Sequence, residues 1–567
     1  MHSSFISLAT LTLAVLSGTV AGLGLSAASF SKDLSLASQL GISPDLFMKY
    51  GNRERVHLPM FMGRTKAAVA TEWTTIPIDH EDESVGTYQN RYWVSEHYYQ
   101  PGGPIFVYDV GEASAENSAM AYLAANKTSF FSEILEEFNG MGIVWEHRYY
   151  GESLPFPISN STPPEHFKYL TTEQALADIP YFAQNFTRNG QQLSPDTTPW
   201  VMVGGSYSGI RSAFTRDQYP DTIFASYASS APVEARIDMS IYFDQVYAGM
   251  LGYGHENCAN DIKAALKYID EELSRDETSA ANIKTIFFGA GAEENNNGDF
   301  SAALAGIYGY WQAYGMGGGE GSLGSFCEWL ETDPDTNSIA GPEGFASSRG
   351  NEYVAMRYAS WPVFTKLINF NYNTNCDGLN TTQPLSCVLN PPSTTPDDIS
   401  WTWQFCSEWG YFQSDNLGPH SLLSQYQSLE YWLYTCHRQF PDGIASGLLP
   451  KQPQTDALNK RTGGWTIRPS NVYWSGGQFD PWRTLSPLAT ESWAPQGVTF
   501  STDIPQCNVK TGEDTLFGYI MPNAEHCFDF DPNFEPGNAS RSLFYRALGE
   551  WLPCFEPRTK SHGDGNA

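Results

Sequence analysis

Short apolar runs bounded by turn residues recur along the chain, and they predict buried strands. Stretches with helical spacing of apolar residues lie between the early runs. One predicted helix begins at Thr171, with Gln174 placed for a capping box, and continues through 175–183. Strands that alternate with helices favour a mostly parallel sheet covered on both faces. The predicted strands are 104–110, 142–146, 200–204, 223–228, 472–475 and 516–521.

The regular alternation stops near Pro232. From about residue 235 to about residue 372, the sequence is helical at 258–273 and 300–313, with loops rich in Gly, Asn and Ser between. Strand-like sequence returns after a Pro-rich loop at 390–398. The pattern therefore predicts an α/β domain that is interrupted by a mainly helical insertion and completed by the C-terminal third.

The first residues predict entry into the secretory route. Residues 5–20 are mostly apolar and end in the small-x-small pattern Thr19-Val20-Ala21, which suits signal peptidase. The alternative is a membrane anchor, but about 16 residues are short for spanning a bilayer. Five N-x-[ST] sequons are glycan acceptors only on this route. They lie at Asn126, Asn160, Asn185, Asn380 and Asn538. We expect a secreted protein, or one delivered to a vacuolar or lysosome-like lumen.

Composition excludes several classes of function. The 567 residues contain 63 Asp+Glu against 32 Lys+Arg, which gives a net charge of −31. Such a chain is unsuited to nucleic acid or to an anionic membrane surface, because both are bound by clustered Lys and Arg. Hydrophobic residues make up 41% and aromatic residues 14%, so there is enough apolar material for a large core.

Cysteine usage agrees with an oxidising compartment. The chain has nine cysteines and no C-x-x-C pair, which argues against a zinc ribbon or a thioredoxin motif. Most of them should form disulfides after secretion. Because nine is odd, at least one thiol stays free or pairs between chains. The sequence leaves the connectivity open.

The segment 200–210 predicts a catalytic nucleophile. It runs from a strand into Gly-Gly-Ser-Tyr-Ser-Gly and then into the start of a helix, with Ser206 at the apex of the turn. Small residues two positions to either side let the backbone turn sharply, and here they are Gly204 and Ser208. Ser208 departs from the usual glycine but is still small. The backbone N–H of Tyr207 is the natural first donor of an oxyanion hole.

A serine needs a base and an orienting carboxylate before it can act as a nucleophile. In α/β-hydrolases the chain order is serine, acid, histidine. Asp480 follows the predicted strand at 472–475, and His526 follows the one at 516–521. Loops of this kind converge over the carboxyl edge of a sheet. The less well placed competitors are His420, His437 and Asp529.

Six motifs in order then carry a family resemblance. They are Glu-His-Arg-Tyr-Tyr-Gly-Glu-Ser at 146–153, Leu-Thr-Thr-Glu-Gln-Ala-Leu-Ala-Asp at 170–178, the serine turn at 204–209, Trp-Gln-Phe-Cys-Ser-Glu at 403–408, Asp-Pro-Trp at 480–482 and His-Cys at 526–527. Together they resemble the prolyl carboxypeptidase family of serine peptidases. That family also holds dipeptidyl-peptidase II, thymus-specific serine peptidase and fungal prolyl endopeptidases. The resemblance covers roughly residues 55–555.

The resemblance implies an α/β-hydrolase fold with a mainly helical cap inserted after the nucleophile region. The expected division is a signal peptide at 1–21, the hydrolase domain at 22–234 and 373–557, the cap at 235–372, and a disordered tail at 558–567. The resemblance also implies a triad of Ser206, Asp480 and His526. Glu146, Arg148 and Glu408 are expected in buried structural ion pairs rather than in the reaction.

The family's substrate positions can be carried over one by one. Its apolar pocket for the proline ring corresponds to Ile210, Trp482 and Phe530. Its Gly-Asn-Glu-Gly loop corresponds to the segment around Gly111 and Glu112, although the flanking residues differ. The resemblance implies a second oxyanion donor near Gly111. In dipeptidyl peptidases of the family, the glutamate binds the α-amine of the substrate.

The expected function is therefore hydrolysis next to proline by an acyl-enzyme mechanism that needs no metal and no organic cofactor. An exopeptidase of carboxypeptidase or dipeptidyl-peptidase type is the first expectation, and a prolyl endopeptidase is the alternative within the family. From other classes, a lipase or esterase and an inert hydrolase-like binding protein are the alternatives. The expected partners are proline-containing peptides, with no nucleic acid and no membrane. The oligomeric state is left open, with a homodimer as one candidate.

Overall fold

The computed structural model describes residues 34–43, 69–123 and 129–558. The predicted signal peptide, the sequon at Asn126 and all but the first residue of the predicted tail lie outside these ranges. In the part of the chain that the structure describes, no helix is long and apolar enough to cross a membrane. The other four sequon asparagines are exposed. Glycosylation stays a prediction.

A nine-stranded sheet forms the centre of the molecule. Its order is β1-β2-β4-β3-β5-β6-β7-β9-β8, with β1 and β4 antiparallel to β2 and the other pairs parallel. This mostly parallel arrangement is an α/β-hydrolase fold, as predicted. The strands are β1 Thr71–Pro77, β2 Thr87–Ser95, β3 Ile105–Asp109, β4 Met141–Trp145, β5 Trp200–Gly205, β6 Ala225–Ser229, β7 Val472–Gly477, β8 Thr499–Ser501 and β9 Thr515–Met521.

All six predicted strands are present, as β3, β4, β5, β6, β7 and β9. The prediction missed β1 and β2, and it missed β8 at the edge of the sheet. β1 alternates exposed and half-buried residues over most of its length, so it has no continuous apolar run. β8 has three residues, none of them fully buried.

Helices account for most of the remaining structure. The α-helices are α1 Glu116–Tyr122, α2 Phe130–Glu137, α3 Thr172–Gln184, α4 Tyr207–Gln218, α5 Ile241–Gly252, α6 Glu256–Arg275, α7 Glu277–Phe288, α8 Asn297–Leu304, α9 Trp311–Tyr314, α10 Leu323–Glu331, α11 Ala346–Arg349, α12 Asn351–Ala359, α13 Phe364–Tyr372, α14 Pro396–Gln404, α15 Leu429–Gln439, α16 Thr455–Thr462 and α17 Glu535–Trp551. A π-helical turn, Phe405–Trp409, continues α14.

Shorter elements complete the connections. Two-stranded pairs join Thr187–Arg188 to Gln191–Gln192 and Arg236–Asp238 to Gly410–Phe412. The 3₁₀ turns are Glu83–Val85, Pro164–Phe167, Ala292–Glu294, Ala305–Tyr308, Gly319–Gly321, Cys376–Gly378, Gly464–Thr466, Pro481–Leu485, Phe528–Phe530 and Leu552–Cys554.

Both faces of the sheet are buried, as the alternation of strands and helices predicts. Along β3, Ile105 and Val107 pack into the core that holds α3, whereas Phe106 and Tyr108 pack into the larger core on the opposite face. All four are at most 7% exposed. Successive residues of a strand point to opposite faces, so a strand covered on both sides has a continuous apolar run.

A mainly helical stretch separates β6 from β7. It holds α5 to α16. The predicted helix at 258–273 lies entirely within α6, whereas the predicted helix at 300–313 is divided among α8, a 3₁₀ turn and α9. The predicted return of strands is confirmed in β7 and β9, although Gly410–Phe412 is the one strand between residues 398 and 472 and no strand directly follows the Pro-rich loop. α14 forms there instead, since Pro396 and the acidic Asp397 and Asp398 in its first turn favour a helix start. The domain boundaries at 234 and 372 stay predictions.

At the start of α3, one of the two hydrogen bonds of the predicted capping box is present. Thr171 is the N-cap, and its hydroxyl accepts a hydrogen bond from Gln174 N at 3.3 Å. The Gln174 side chain does not return to the cap. It donates to Asp79 Oδ1 at 2.7 Å and accepts from His80 N at 2.9 Å. The loop after β1 thus competes with the cap for this side chain.

The expected buried ion pairs are confirmed for Glu146 and Arg148 but not for Glu408, whose nearest cation, Arg461, is exposed. Arg91 lies 2.7 Å from Glu146, and Arg148 lies 2.6 Å from Asp178. Arg148 and its hydrogen bonds hold the pKa of Asp178 at about 2, although burial acts in the opposite direction. Burial raises the pKa of Glu408 to about 7. Glu408 accepts hydrogen bonds from Thr172 N and Oγ1 and lies 3.6 Å from Arg461.

The nine cysteines form four disulfides and leave one thiol. Three disulfides lie in the helical stretch between β6 and β7, and the fourth joins the segment after β8 to the 3₁₀ turn after α17. The free thiol is Cys527, which is buried. The bridges are Cys258–Cys327, Cys376–Cys387, Cys406–Cys436 and Cys507–Cys554.

Candidate active site

Ser206 occupies the turn between β5 and α4. Its backbone has φ 65° and ψ −132°, a conformation that residues other than glycine rarely adopt. Two backbone hydrogen bonds hold it there. Ser206 N donates to Ser229 O at 2.9 Å, and Ile210 N donates to Ser206 O at 3.0 Å. The end of β6 and the first turn of α4 therefore fix the serine from both sides.

The sharpness of this turn depends on small neighbours. A Cβ atom at Gly204 would lie 2.2 Å from Ser208 O, and one at Gly209 would lie 2.6 Å from Ser229 O. Ser208 is accommodated because its hydroxyl bridges the turn. It donates to Gly205 O at 2.7 Å and accepts from Gly205 N at 3.1 Å. The serine that departs from the usual glycine is thus part of the turn's own hydrogen bonding.

Asp480 and His526 come together although they follow different strands. His526 Nδ1 lies 2.9 Å from Asp480 Oδ1, and both side chains are buried. The same carboxylate oxygen accepts Trp482 N at 3.0 Å, which fixes the turn after β7. With Nδ1 engaged, His526 Nε2 has no hydrogen-bond partner among the described residues. His526 and Ser206 line the same cavity.

Neighbouring groups favour the charged form of His526. Burial lowers the pKa of this imidazole, but the Cys527 sulfur and the Asp480 carboxylate outweigh burial, so the pKa is raised above its usual value.

Burial raises the pKa of the neighbouring Glu525 carboxyl to about 7. Glu525 accepts a hydrogen bond from Tyr253 at 2.7 Å.

The competing acid and histidines are engaged elsewhere. Asp529 accepts hydrogen bonds from Ser229 Oγ at 2.6 Å and from Tyr227 OH at 2.7 Å. His420 stacks on Tyr247 with ring centroids 4.5 Å apart. His437 lies on α15 and does not line the cavity.

The two candidate oxyanion donors, Tyr207 and Gly111, differ in whether their backbone N–H is already hydrogen-bonded. Tyr207 is the first residue of α4, so its N–H is among the amides that have no partner within the helix. Gly111 lies beside the turn, since a Cβ atom there would be 3.2 Å from Ser208 Cβ. Its N–H donates to Asp109 Oδ1 at 3.0 Å. Because Gly111 N–H is already engaged, the second oxyanion donor is unassigned.

A buried ion pair ties this loop to the serine's helix. Asp109 Oδ2 accepts from Arg211 Nε at 2.5 Å, and both side chains are at most 1% exposed. Asp109 ends β3 and Arg211 lies in α4. The carboxylate that holds Gly111 N–H is therefore also anchored to the helix that starts at the serine turn.

The cavity at Ser206 has a volume of about 230 Å³ and many aromatic residues in its lining. Glu112, Trp482 and Phe530 line it, whereas Ile210 is fully buried and does not. Phe530 stacks on Phe130 at 4.0 Å between ring centroids. The aromatic lining residues are Tyr108, Tyr122, Tyr207, Tyr242, Phe243, Tyr308, Trp401, Tyr411, Trp432, Trp482 and Phe530.

The cavity lining is nearly without formal charge. Among the described residues that line it, Glu112 is the one carboxylate, and there is no Lys or Arg. Besides the tyrosines, two further ionisable side chains line it, His526 and the free thiol Cys527. A cationic group of a bound molecule would therefore find a partner here, and an anionic group would find none outside His526.

The sequence analysis missed the contribution of two parts of the chain to the site, the short helix α9 and the N-terminal segment. Gln312, in the four-residue helix α9, accepts from Trp482 Nε1 at 3.0 Å and from Tyr242 OH at 2.8 Å. Its carbonyl accepts His526 N at 3.2 Å. Ser35, Leu36 and Gln39 also line the cavity. Neither the short helix nor the N-terminal segment carries a motif that could have signalled this.

A buried polar network lies behind the serine turn. Gln404 donates to Tyr207 OH at 2.8 Å, and His147 Nε2 lies 3.1 Å from the same hydroxyl. Tyr150 OH donates to Gln404 Oε1. Burial lowers the pKa of His147 well below its usual range, so this imidazole is neutral. Gln404 ends α14, where the π-helical turn begins.

Comparisons with known proteins place the chain among peptidases. A sequence model described as "Serine carboxypeptidase S28" matches residues 77–498. A "Probable extracellular serine carboxypeptidase" of Arthroderma benhamiae is 28% identical over 75% of this chain. The matched region spans 60% of that relative's length. The "Lysosomal Pro-X carboxypeptidase" of Bos taurus is 23% identical over 85% of this chain and 88% of its own length.

Solved structures add little to the fold assignment. A thermostable carboxylesterase cloned from a metagenomic library is 13% identical, covers 36% of this chain and 62% of its own, and has a TM-score of 0.22. The assignment of the fold rests on the strand order described above.

We expect Gly204→Ala to disrupt the serine turn. The added methyl group would meet a backbone oxygen that has no room to move, and overpacking of this kind costs about 1–3 kcal/mol of unfolding free energy. Chemical denaturation and the rate of fluorophosphonate labelling would measure the two effects. Gly549→Ala is the control, because a Cβ atom there meets nothing within 4 Å on α17. Equal behaviour of the two variants would contradict the steric argument.

Proposed function

This chain belongs to the serine carboxypeptidase S28 family of serine peptidases, and we propose that it hydrolyses peptide bonds next to proline through an acyl-enzyme on Ser206. One observation carries the proposal. Ser206 and His526 line one cavity, and His526 Nδ1 lies 2.9 Å from the buried Asp480. A strained serine, an oriented imidazole and a buried carboxylate are what nucleophilic acyl transfer requires.

The proposed reaction follows from these positions. His526 Nε2 takes the proton of Ser206, whose oxygen attacks the carbonyl carbon of the scissile bond. Asp480 holds the imidazole by its Nδ1–H and stabilises the imidazolium. The N–H of Tyr207 stabilises the oxyanion. His526 then protonates the leaving amine, and water hydrolyses the acyl-enzyme with the same histidine as base.

The cavity's chemistry supports proline as the substrate residue. A proline ring is apolar and its nitrogen has no N–H, so flat aromatic walls can bind it without leaving a donor unsatisfied. Trp482 and Phe530 offer such walls. The printed name of the Bos taurus relative, a Pro-X carboxypeptidase, points the same way. Ile210 is left out of this subsite because it is fully buried.

Charge in the cavity favours recognition of an N-terminus. Glu112 can pair with a free α-amine, whereas an α-carboxylate would meet no Lys or Arg among the lining residues described. We therefore propose an exopeptidase of dipeptidyl-peptidase type, although the family's printed description names carboxypeptidases. A prolyl endopeptidase is the second candidate, since cleavage within a chain needs neither terminus.

The setting we propose is outside the cytosol. Four disulfides fit an oxidising compartment, and the relatives cited are named extracellular and lysosomal. Secretion, or delivery to a lysosome-like lumen, is the proposal that accounts for both. The natural partners would then be proline-containing peptides of that compartment.

Substitution of the triad tests the reaction. We expect Ser206→Ala to lower kcat by roughly 10⁶ and Asp480→Asn by roughly 10⁴, because the nucleophile is lost in the first and the imidazole is misoriented in the second. A fluorophosphonate probe should label the wild type at Ser206. Peptide turnover by Ser206→Ala at the wild-type rate would refute the assignment, and absence of wild-type labelling would favour an inert protein.

The pH profile tests the base. His526 must be neutral to accept a proton, and its pKa is raised, so kcat/KM should fall as the pH drops through that pKa. Removing the Asp480 charge removes one cause of the increase. The residual activity of Asp480→Asn should therefore lose its acid limb at a lower pH than the wild type. Asp503→Asn, in an exposed loop, is the control and should leave the limb in place.

One peptide in four forms distinguishes the peptidase types. A short proline-containing peptide is offered free, with its N-terminus acetylated, with its C-terminus amidated, or with both blocked. We expect acetylation to lower kcat/KM and amidation to leave it nearly unchanged, because Glu112 can pair only with the amine. Rapid cleavage of the doubly blocked peptide would favour the endopeptidase, and loss on amidation alone would favour the carboxypeptidase.

A further inference from the structure

An N-terminal segment forms part of the active-site cavity. Residues 34–39 make a helical turn, and Ser35, Leu36 and Gln39 of this turn line the cavity that Ser206 and His526 also line. Positions 35, 36 and 39 share one face of a helix, since residues three and four apart are neighbours. The turn thus presents one face to the cavity, and Leu36 is only 4% exposed.

Hydrogen bonds attach this segment to both sides of the cavity. Gln39 Oε1 accepts from the hydroxyl of Tyr122, which ends α1. Ser38 Oγ donates to Ala313 O at 2.7 Å, and Tyr314 OH donates to Ile42 O at 2.7 Å. Ala313 and Tyr314 belong to α9 in the helical stretch. The segment therefore bridges α1, which follows β3, and the stretch inserted between β6 and β7.

The N-terminal segment is connected through α1 to Glu112, the residue proposed to bind the α-amine of the substrate. Glu112 lies in the loop that leads into α1, and Ser118 and Tyr122 on α1 line the cavity as well. Gln39 is bonded to Tyr122. Hence Glu112, α1 and the turn at 34–39 make up one continuous wall of the cavity. Glu112 precedes the start of α1, and the turn is attached to the end of α1.

The segment lies outside the part of the chain that the family match covers, which begins at residue 77. A neutral wall of a leucine and an amide offers no opposite charge to a charged group of a peptide. It can, however, bound the space that a short N-terminal piece occupies.

We propose that Leu36 and Gln39 are specificity-determining residues that close the cavity at its amine end and limit how far a substrate extends on the N-terminal side of the scissile bond. This inference rests on the proposed function. A pocket contact of this size changes the ratio of kcat/KM between two substrates by about 10- to 200-fold.

The test compares two lengths of substrate in three variants. A short proline-containing peptide with a free amine is set against the same peptide extended by two residues at its N-terminus. Leu36→Ala and Gln39→Ala should raise kcat/KM for the extended peptide, relative to the short one, by about tenfold or more. Leu34→Ala is the matched control. Leu34 is 1% exposed on the same turn but does not line the cavity.

The outcomes separate the wall from the peptidase function. An unchanged ratio in Leu36→Ala and Gln39→Ala, with normal labelling of Ser206 and normal cleavage of the short peptide, would overturn the wall and leave the peptidase function intact. An equal shift in Leu34→Ala would overturn the assignment to the lining residues. If the wild type cleaves neither peptide and the probe does not label Ser206, the proposed function fails and the inference fails with it.

Discussion

The close approach of backbone at the serine turn is the constraint on which the rest of the site depends. β5 reverses into α4 within one residue, which requires Gly204 to lie against Ser208 O and Gly209 against Ser229 O. Gly205 is just as confined, because a Cβ atom there would lie 2.7 Å from Phe530 and 2.8 Å from Cys527 Sγ. The residues around His526 can therefore come close only because the turn has no side chains in the way.

Buried charge then fixes the surroundings of this turn. Asp109 holds the amide of Gly111 and the guanidinium of Arg211 together, so the loop after β3 is attached to α4. Asp397 does the same farther out, where its two oxygens accept Gly151 N and Ser114 N, each at 2.8 Å. Burying such carboxylates is costly unless each finds partners. The cost is met by backbone amides whose loops are thereby held in place.

The sequence could predict the centre of this molecule and not its periphery. Continuous apolar strands, the serine turn and the order of acid and base are local signals, and each of them corresponds to an element of the structure. The edge strand β8 and the alternating β1 lack such a signal. Gln312 and Leu36 reach the cavity through tertiary packing alone, and no spacing in the chain encodes that. Gly111 was correctly placed near the turn, but the competition of Asp109 for its N–H depends on side-chain geometry.

The insertion between β6 and β7 affects when the candidate active site can form during synthesis and folding. These two strands are neighbours in the sheet, yet the whole helical stretch and three of the four disulfides lie between them in the chain. Pairings of such long sequence separation are intrinsically slow to form. During synthesis Ser206 emerges well before Asp480 and His526. A nascent chain therefore has the proposed nucleophile without its proposed base, and the proposed site cannot be complete until nearly all of the chain has left the ribosome.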